Sequence, residues 1–211
     1  MQGNNRMKRT AITTIFVDIG GILLTNGWDH LSRRLAAKQF KLDFDEMEAR
    51  HQLIFSTYEL GKIDLKNYLD YTVFYQQRKF TFAQFKKFMF DQSRPYPEMI
   101  KLISQLKIKY KLKIAIVSNE SRELNTYRIQ KFKLDSFIDF FVSSCIVQLR
   151  KPDPEIYRLA LDLAQVPADQ VIYIDDRAYF VEVAKNLGMQ GICHTEYKST
   201  HQKLSLLGLA L

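Results

Sequence analysis

Cysteine is almost absent from this sequence: Cys145 and Cys193 are the two in 211 residues. No Cys-x-x-Cys pair and no zinc-ligand spacing occurs, which excludes a zinc-ribbon type of module. Both cysteines lie in apolar, strand-like sequence, where cysteine is a small buried hydrophobe, and a reducing, cytoplasmic compartment is expected. The four histidines, His30, His51, His194 and His201, form no ligand pattern. No apolar run is long enough to cross a bilayer. The run from Leu204 to Leu211 is too short and is expected to pack on the core, so no membrane association is expected. Residues 1–10 lack the apolar stretch of a secretory signal and read as a flexible basic tail. Long basic runs are missing as well. The formal charge is +8, yet the basic residues are scattered, with small clusters only at Arg6–Arg9 and Lys107–Lys113. Nucleic acid is therefore not an expected partner, although charge alone does not choose among nucleic acid, anionic lipid and small phosphorylated substrates. There is no internal repeat and no low-complexity linker.

What is present is the composition of a globular chain, 46% apolar and 26% charged. Its length suits a core domain carrying a smaller insertion. Ala11–Val17 is an apolar, β-branched run that stops at Asp18, before Gly20 and Gly21. From Trp28 to Gln92 the pattern turns helical. Leu31, Leu35 and Phe40 suggest one helical face. A second helix runs from about Asp45 to Leu60 and ends at Gly61, a C-cap signal. A third starts near Asp64. Thr81 with Gln84 forms a capping-box pattern ahead of Phe85, Phe88 and Met89. The many aromatics of this stretch read as the core of a small helical bundle.

After Pro95 and Pro97, strand and helix alternate. Helices are expected at Glu98–Tyr110, Arg122–Lys131, Pro154–Leu163 and Phe180–Leu187. Strands are expected at Leu112–Val117, Phe140–Ser143, Val171–Ile174 and Gly191–His194. The alternation implies an α/β fold: a Rossmann-like parallel sheet with helices on both faces and a small inserted helical cap domain. Residues 11–26 and 93–203 are assigned to the core and 27–92 to the cap. Right-handed crossovers bring all the strand carboxyl ends to one edge, where ligands of such sheets bind.

The polar residues at that edge form a set. The first strand ends in Asp18, the next in Ser118-Asn119, and a later one in Asp175-Asp176. Lys151 lies in a loop ahead of a helix. Singly, each reads as a turn, cap or surface residue. Together, carboxylates converging on one edge would repel one another and raise each other's pKa. A hard divalent cation relieves that repulsion, and Mg²⁺ takes one or two carboxylates together with phosphate oxygens and waters. Lys151 and the Ser118 hydroxyl are suited to hold an anion. Asp18, held in line, is suited to attack phosphorus.

These stretches resemble the four sequence motifs of the haloacid dehalogenase superfamily. They are Val17-Asp18-Ile19-Gly20-Gly21-Ile22-Leu23, Ile116-Val117-Ser118-Asn119, Arg150-Lys151-Pro152-Asp153-Pro154-Glu155-Ile156-Tyr157 and Tyr173-Ile174-Asp175-Asp176-Arg177. The order and spacing are kept from Ile15 to His194. The insertion resembles the helical cap of the dehalogenase and sugar-phosphate phosphatase branch, with Gly61-Lys62-Ile63-Asp64 similar to a turn found in those caps. The resemblance implies Asp18 as nucleophile and metal ligand, with Lys151 neutralising charge. It implies Ser118, Asn119 and Lys151 as the phosphate holders, and Mg²⁺ bound by Asp18, the Gly20 carbonyl, Asp175 and Asp176. It implies a Mg²⁺-dependent hydrolase of a small phosphorylated metabolite, acting as a monomer or homodimer. Trp28, Tyr58 and Lys62 are candidate substrate contacts from the cap.

One customary residue is missing. Most phosphatases of the superfamily place a second Asp two residues after the nucleophile, where it protonates the leaving oxygen; here that position is Gly20. A sub-branch of sugar-phosphate phosphatases resembles this Asp-x-Gly pattern. Two alternatives stay open: a 2-haloacid dehalogenase, whose halide leaves without a proton, and a weakened binding or regulatory protein on the same fold. The adjacent Asp175 and Asp176 speak against a metal-free dehalogenase, whose fourth motif is Ser-rich.

Overall fold

A computed structural model describes residues 11–211. The tail expected at residues 1–10 lies outside the described residues. The chain runs β1 (Thr14–Val17), α1 (His30–Phe40), α2 (Phe44–Glu59), α3 (Leu65–Thr72), α4 (Phe82–Asp91) and α5 (Pro97–Tyr110). It continues with β2 (Lys113–Ser118), α6 (Arg122–Lys131), β3 (Phe140–Ser143), α7 (Ser144–Val147) and α8 (Pro154–Ala164). It closes with β4 (Val171–Asp175), α9 (Ala178–Asn186), β5 (Gln190–Cys193) and α10 (Tyr197–Leu206).

The five strands form one parallel sheet in the order β3-β2-β1-β4-β5. A strand buried on both faces reads as a continuous apolar run, and β1, β2 and β4 are such runs. Their alternate residues feed two cores. Ile15, Val17, Ile114, Ile116, Ile172 and Ile174 pack with Met99, Leu102 and Leu106 of α5 and Leu204 of α10. Phe16, Ala115, Val117 and Tyr173 pack on the other face with Ile156 and Tyr157 of α8 and Val181 of α9. Leu204 and Leu209 are buried, so the apolar C-terminal run packs on the core as expected.

The register sets the site. Val17 stands opposite Ile116 on β2 and Ile174 on β4, so the three strands end side by side. The Asp18 N–H still donates to the Ile174 carbonyl at 3.0 Å, which holds Asp18 to the ladder after β1 ends.

Helices α1–α4 lie between β1 and α5 and share an apolar cluster of their own, built on Met47, Tyr58, Tyr68, Leu69, Phe85 and Met89. Their starts follow the capping residues. Asp43 accepts from the Glu46 N–H and Asp64 from the Asn67 N–H. Thr81 and Gln84 form the reciprocal capping box. Gly61 follows α2 with φ +67, the left-handed turn that glycine favours. A Cβ at Gly61 would sit 2.2 Å from the Cys145 carbonyl oxygen, so this turn is seated directly on α7.

One expectation is overturned. Leu31 and Leu35 are not on the buried face of α1; they are 68% and 53% exposed. The buried side carries Arg33, Ala36 and Ala37 instead. Small alanines let α1 approach its neighbours closely. Arg33 faces inward because its guanidinium grips Glu48 of α2 with two hydrogen bonds, at 2.6 and 2.8 Å. On a helix of 3.6 residues per turn, that inward set leaves Leu31 and Leu35 on the outside.

Candidate active site

Lys151 is the centre of the strand-end cluster. It is 1% exposed, and its Nζ lies 2.6 Å from Asp175 Oδ2 and 3.1 Å from Asp18 Oδ1. A fully buried ammonium survives only when paired. Burial works against the Lys151 charge, but Asp18 and Asp175 outweigh it and raise its pKa. The loop carrying Lys151 is held by Asn119, whose Oδ1 accepts from the Lys151 N–H at 2.8 Å and whose Nδ2 donates to the Lys151 carbonyl at 2.9 Å. The Asn119 amide, expected to hold phosphate, is thus engaged in fixing this loop.

Asp175 is committed on both oxygens. Oδ2 accepts from Lys151 and from the Tyr173 hydroxyl, and Oδ1 accepts from the Arg177 N–H at 2.8 Å. Asp176 is different. Among the described residues its Oδ1 is buried with no hydrogen-bond partner, and its Oδ2 receives only a long 3.4 Å contact from Asn26 Nδ2. Asp18 Oδ1 likewise has no aligned hydrogen bond, although Lys151 stands near it. Burial raises the pKa of Asp18 to about 7, opposed by Lys151 and reinforced by Asp175. Burial, then Asp175, raises that of Asp176. One carboxylate oxygen from each of Asp18, Asp175 and Asp176 lies within 4.8 Å of the others. An unpartnered buried oxygen on Asp176, and one on Asp18 that meets only the Lys151 charge, belong to a set of hard ligands that fits a hard divalent cation.

Gly20 and Gly21 permit this close packing. A Cβ on Gly21, where φ is +72, would fall 2.3 Å from Asp176 Oδ2. A Cβ on Gly20 would fall 2.8 Å from Asn26 Oδ1. Asn26 therefore occupies space that a side chain at residue 20 would claim.

Above the cluster opens a cavity of about 310 Å³. Its floor includes Asp18, Gly20, Ser118, Asn119 and Lys151, and its roof is largely one face of α2: His51, Gln52, Phe55, Tyr58 and Glu59. Those positions recur at helical spacing, so one face of α2 looks down on Asp18. Trp28 and Tyr58, expected as contacts, line this cavity; Lys62 does not, because the seated Gly61 turn leaves it exposed. Arg177 also lines the wall.

Several lining residues had escaped notice in the sequence. Arg150 pairs with Glu59 at 2.5 Å and lies 5.1 Å over the Phe55 ring. It adjoins Lys151, and that adjacency was the available signal. Arg128 and Glu120 form an ion pair, 2% and 3% exposed, and Arg128 Nη2 also donates to the Thr25 carbonyl at 3.2 Å. This props the 25–28 loop from below: a Cβ at Gly27 would collide with Arg128 at 1.7 Å. Nothing in the sequence pattern marks Arg128, Glu120 or Asn26.

The site is thus an acidic cluster and a buried lysine at the carboxyl edge of a five-stranded parallel sheet. Residues 12–188 match the haloacid dehalogenase-like hydrolase family, and the chain belongs to it. It is 29% identical over 163 residues to flavin mononucleotide hydrolase 1 of Arabidopsis thaliana, covering 77% of this chain and 65% of that protein. It is 30% identical over 88 residues to a phosphorylated carbohydrates phosphatase of Thermotoga maritima, covering 40% and 41%. Both matches span less than two thirds of the relative's length. A (S)-2-haloacid dehalogenase of Burkholderia cepacia is also similar, 28% identical over 46% of this chain and 42% of that protein. The fold is shared with a haloacid dehalogenase family enzyme of Bacteroides thetaiotaomicron, solved with magnesium and inorganic phosphate. Its TM-score is 0.74 at 20% identity, over 88% of this chain and 95% of that one. Among the described residues, no helix is long and apolar enough to cross a membrane.

Proposed function

We propose that this hydrolase is a Mg²⁺-dependent phosphatase of a small phosphorylated metabolite, with residues 27–92 as the cap over a core of 11–26 and 93–203. The observation that carries the reading is the buried Asp176 oxygen without a hydrogen-bond partner among the described residues, beside Asp18 and its ion-paired buried lysine at the floor of a cavity. The phosphatase relatives support the same reading.

Asp18, Asp176 and the Gly20 carbonyl would hold the ion. Asp176 is the better ligand of the acidic pair, because Asp175 is spent on Lys151, Tyr173 and the Arg177 N–H. Bound there, the cation supplies positive charge that favours ionised carboxylates and offsets charge on the phosphoryl oxygens. Lys151 and the Ser118 hydroxyl bind those oxygens. A carboxylate oxygen of Asp18 attacks phosphorus, and the bond to the leaving oxygen breaks. Water then attacks the aspartyl-phosphate, releasing inorganic phosphate and restoring Asp18. No acid stands at residue 20, so the leaving oxygen takes its proton from another group or from water.

A phosphomonoester panel, assayed with Mg²⁺ and again with chelator, tests this directly. Turnover that survives chelation would refute the metal dependence. Asp18→Asn should lower turnover by at least roughly 10³-fold with the fold intact, and retained activity would place the nucleophile elsewhere. Gly20 favours a second reading, a 2-haloacid dehalogenase, since a halide needs no proton. Metal-free halide release from 2-chloropropionate, with no phosphate release from the panel, would establish it.

A further inference from the structure

Three cap residues form a hydrogen-bonded line that ends at the cavity. Trp28 Nε1 lies 2.8 Å from the Tyr68 hydroxyl, which lies 2.7 Å from His51 Nδ1. Tyr68 is 1% exposed and His51 7% exposed. Proton counting orders this line. An indole N–H only donates, so the Tyr68 oxygen accepts from Trp28. The Tyr68 hydrogen then needs an acceptor, and among the described residues the one partner left to that hydroxyl is His51 Nδ1. The opposite assignment would give the tyrosine oxygen two donors and leave its own hydrogen buried without a partner, a costly arrangement. Burial raises the Tyr68 pKa, so the hydroxyl keeps its hydrogen. With Nδ1 as acceptor, a neutral His51 carries its hydrogen on Nε2.

The line is anchored at both ends. Arg33 donates to the Trp28 carbonyl at 2.9 Å while gripping Glu48 on α2. The His51 ring stacks on Phe55 with centroids 5.1 Å apart. His51 lines the cavity roof, and with Nδ1 occupied, Nε2 is the ring nitrogen left for a ligand. Burial first, then the Arg33 charge, lowers the His51 pKa to about 4, against the pull of Glu48. The ring is therefore uncharged near neutral pH and serves as a donor, not as a proton-transfer acid.

We propose that Trp28 and Tyr68 are positioning residues that hold His51 as a neutral Nε2–H donor to an oxygen on the leaving group of the substrate. The assignment rests on the phosphatase reading for what occupies the cavity. It commits the substrate to a phosphomonoester whose leaving group carries a hydroxyl or carbonyl oxygen, as in sugar and polyol phosphates. The donor discriminates substrates and takes no part in breaking the P–O bond.

Two measurements test this on the full chain. Nitrogen-15 NMR of histidine-labelled protein at pH 7, with the His51 signals identified by their loss in His51→Gln, should show the Nε2–H tautomer. Tyr68→Phe should release that preference. A hydrogen on Nδ1 in the wild-type protein would overturn the proposal. This readout needs no turnover, so it stands apart from any failure of the phosphatase reading. For kinetics, His51→Phe keeps a ring against Phe55 and removes the donor. Relative to phenyl phosphate, KM for hexose and glycerol phosphates should rise about five- to tenfold, with kcat moving much less. His51→Gln, which restores an N–H donor, should recover part of that difference. Equal changes in KM for phenyl phosphate and the hydroxylated esters would overturn the proposal, as would a fall in kcat alone.

Discussion

Gly20→Asp is the most informative single change, because on the proposed phosphatase reading it supplies a carboxyl where the leaving oxygen would be protonated. Gly20 does not use the left-handed backbone region, so an Asp meets no backbone strain there. Its Cβ would stand 2.8 Å from Asn26 Oδ1, the far end of a side chain, which can turn aside. What is lost is the 3.4 Å contact from Asn26 to Asp176. A hydrogen bond of that kind contributes about 1 kcal/mol, or roughly fivefold in rate. The new carboxyl enters a buried site beside Asp18 and Asp176, and both burial and like charge raise its pKa. Burial favours the protonated form that a general acid requires, while the bound cation offsets the like charge of Asp18 and Asp176. General acid catalysis is worth roughly 10²–10⁴-fold. Set against the loss of the Asn26 contact, the net gain is at least about twentyfold. The assay is initial-rate phosphate release with Mg²⁺ at pH 7, comparing glycerol phosphate with p-nitrophenyl phosphate. The gain should be large for the alkyl ester and small for the nitrophenyl ester, whose leaving group needs no proton. An equal gain on both esters would refute the reasoning. So would no gain in either Gly20→Asp or Gly20→Asp/Asn26→Ala.

Other changes probe the supporting charges. Arg128→Met strands Glu120, 3% exposed in its side chain, without its partner; urea denaturation should show a loss of about 3–5 kcal/mol, and adding Glu120→Gln should recover part of it. Lys151→Met leaves Asp18 and Asp175 facing each other unpaired; turnover should vanish, and Mg²⁺ should raise the Tm of this variant more than that of the wild type. Acid should act through His51. Its pKa falls from 6.5 unfolded to about 4 folded, so the unfolded chain takes up the proton first as pH drops. Stability is then full above pH 6.5 and lost as pH falls toward 4, by about 3 kcal/mol from this group. His51→Gln should remove that share of the slope, and an unchanged slope would show that the ring is already charged in the folded protein.

The parallel sheet was legible because β1, β2 and β4 are buried on both faces, and such strands can only read as unbroken apolar runs. Helix starts at Asp64 and Thr81 were legible because a cap is a local hydrogen bond between neighbours in sequence. The inward face of α1 was not. Its leucines look like core residues, but Arg33 has a partner on α2 that hydrophobic pattern alone does not disclose. The strand-end residues Asp18 and Ser118 were legible because topology brings them to one edge whatever the loops do; Lys151, in a loop ahead of α8, was legible only through its motif. The choice between Asp175 and Asp176 was not, since two adjacent carboxylates are equivalent until their hydrogen bonds are known.

The sequence by itself determined that Asp18 ends the first strand, that Lys151 follows in a loop ahead of a helix, and that no carboxyl stands at residue 20. These are facts of order and residue type. The tertiary structure decided the rest. It put Asn26 into the space beside Gly20, bound Asp175 and Asp18 to Lys151, and left Asp176 Oδ1 without a hydrogen-bond partner among the described residues. It also joined Trp28, Tyr68 and His51, which lie 40 and 17 residues apart in the chain, into one hydrogen-bonded line. The physical reason is the same in each case: a hydrogen bond or a desolvated charge depends on distances of a few ångströms between residues far apart in sequence, and only folding sets those distances.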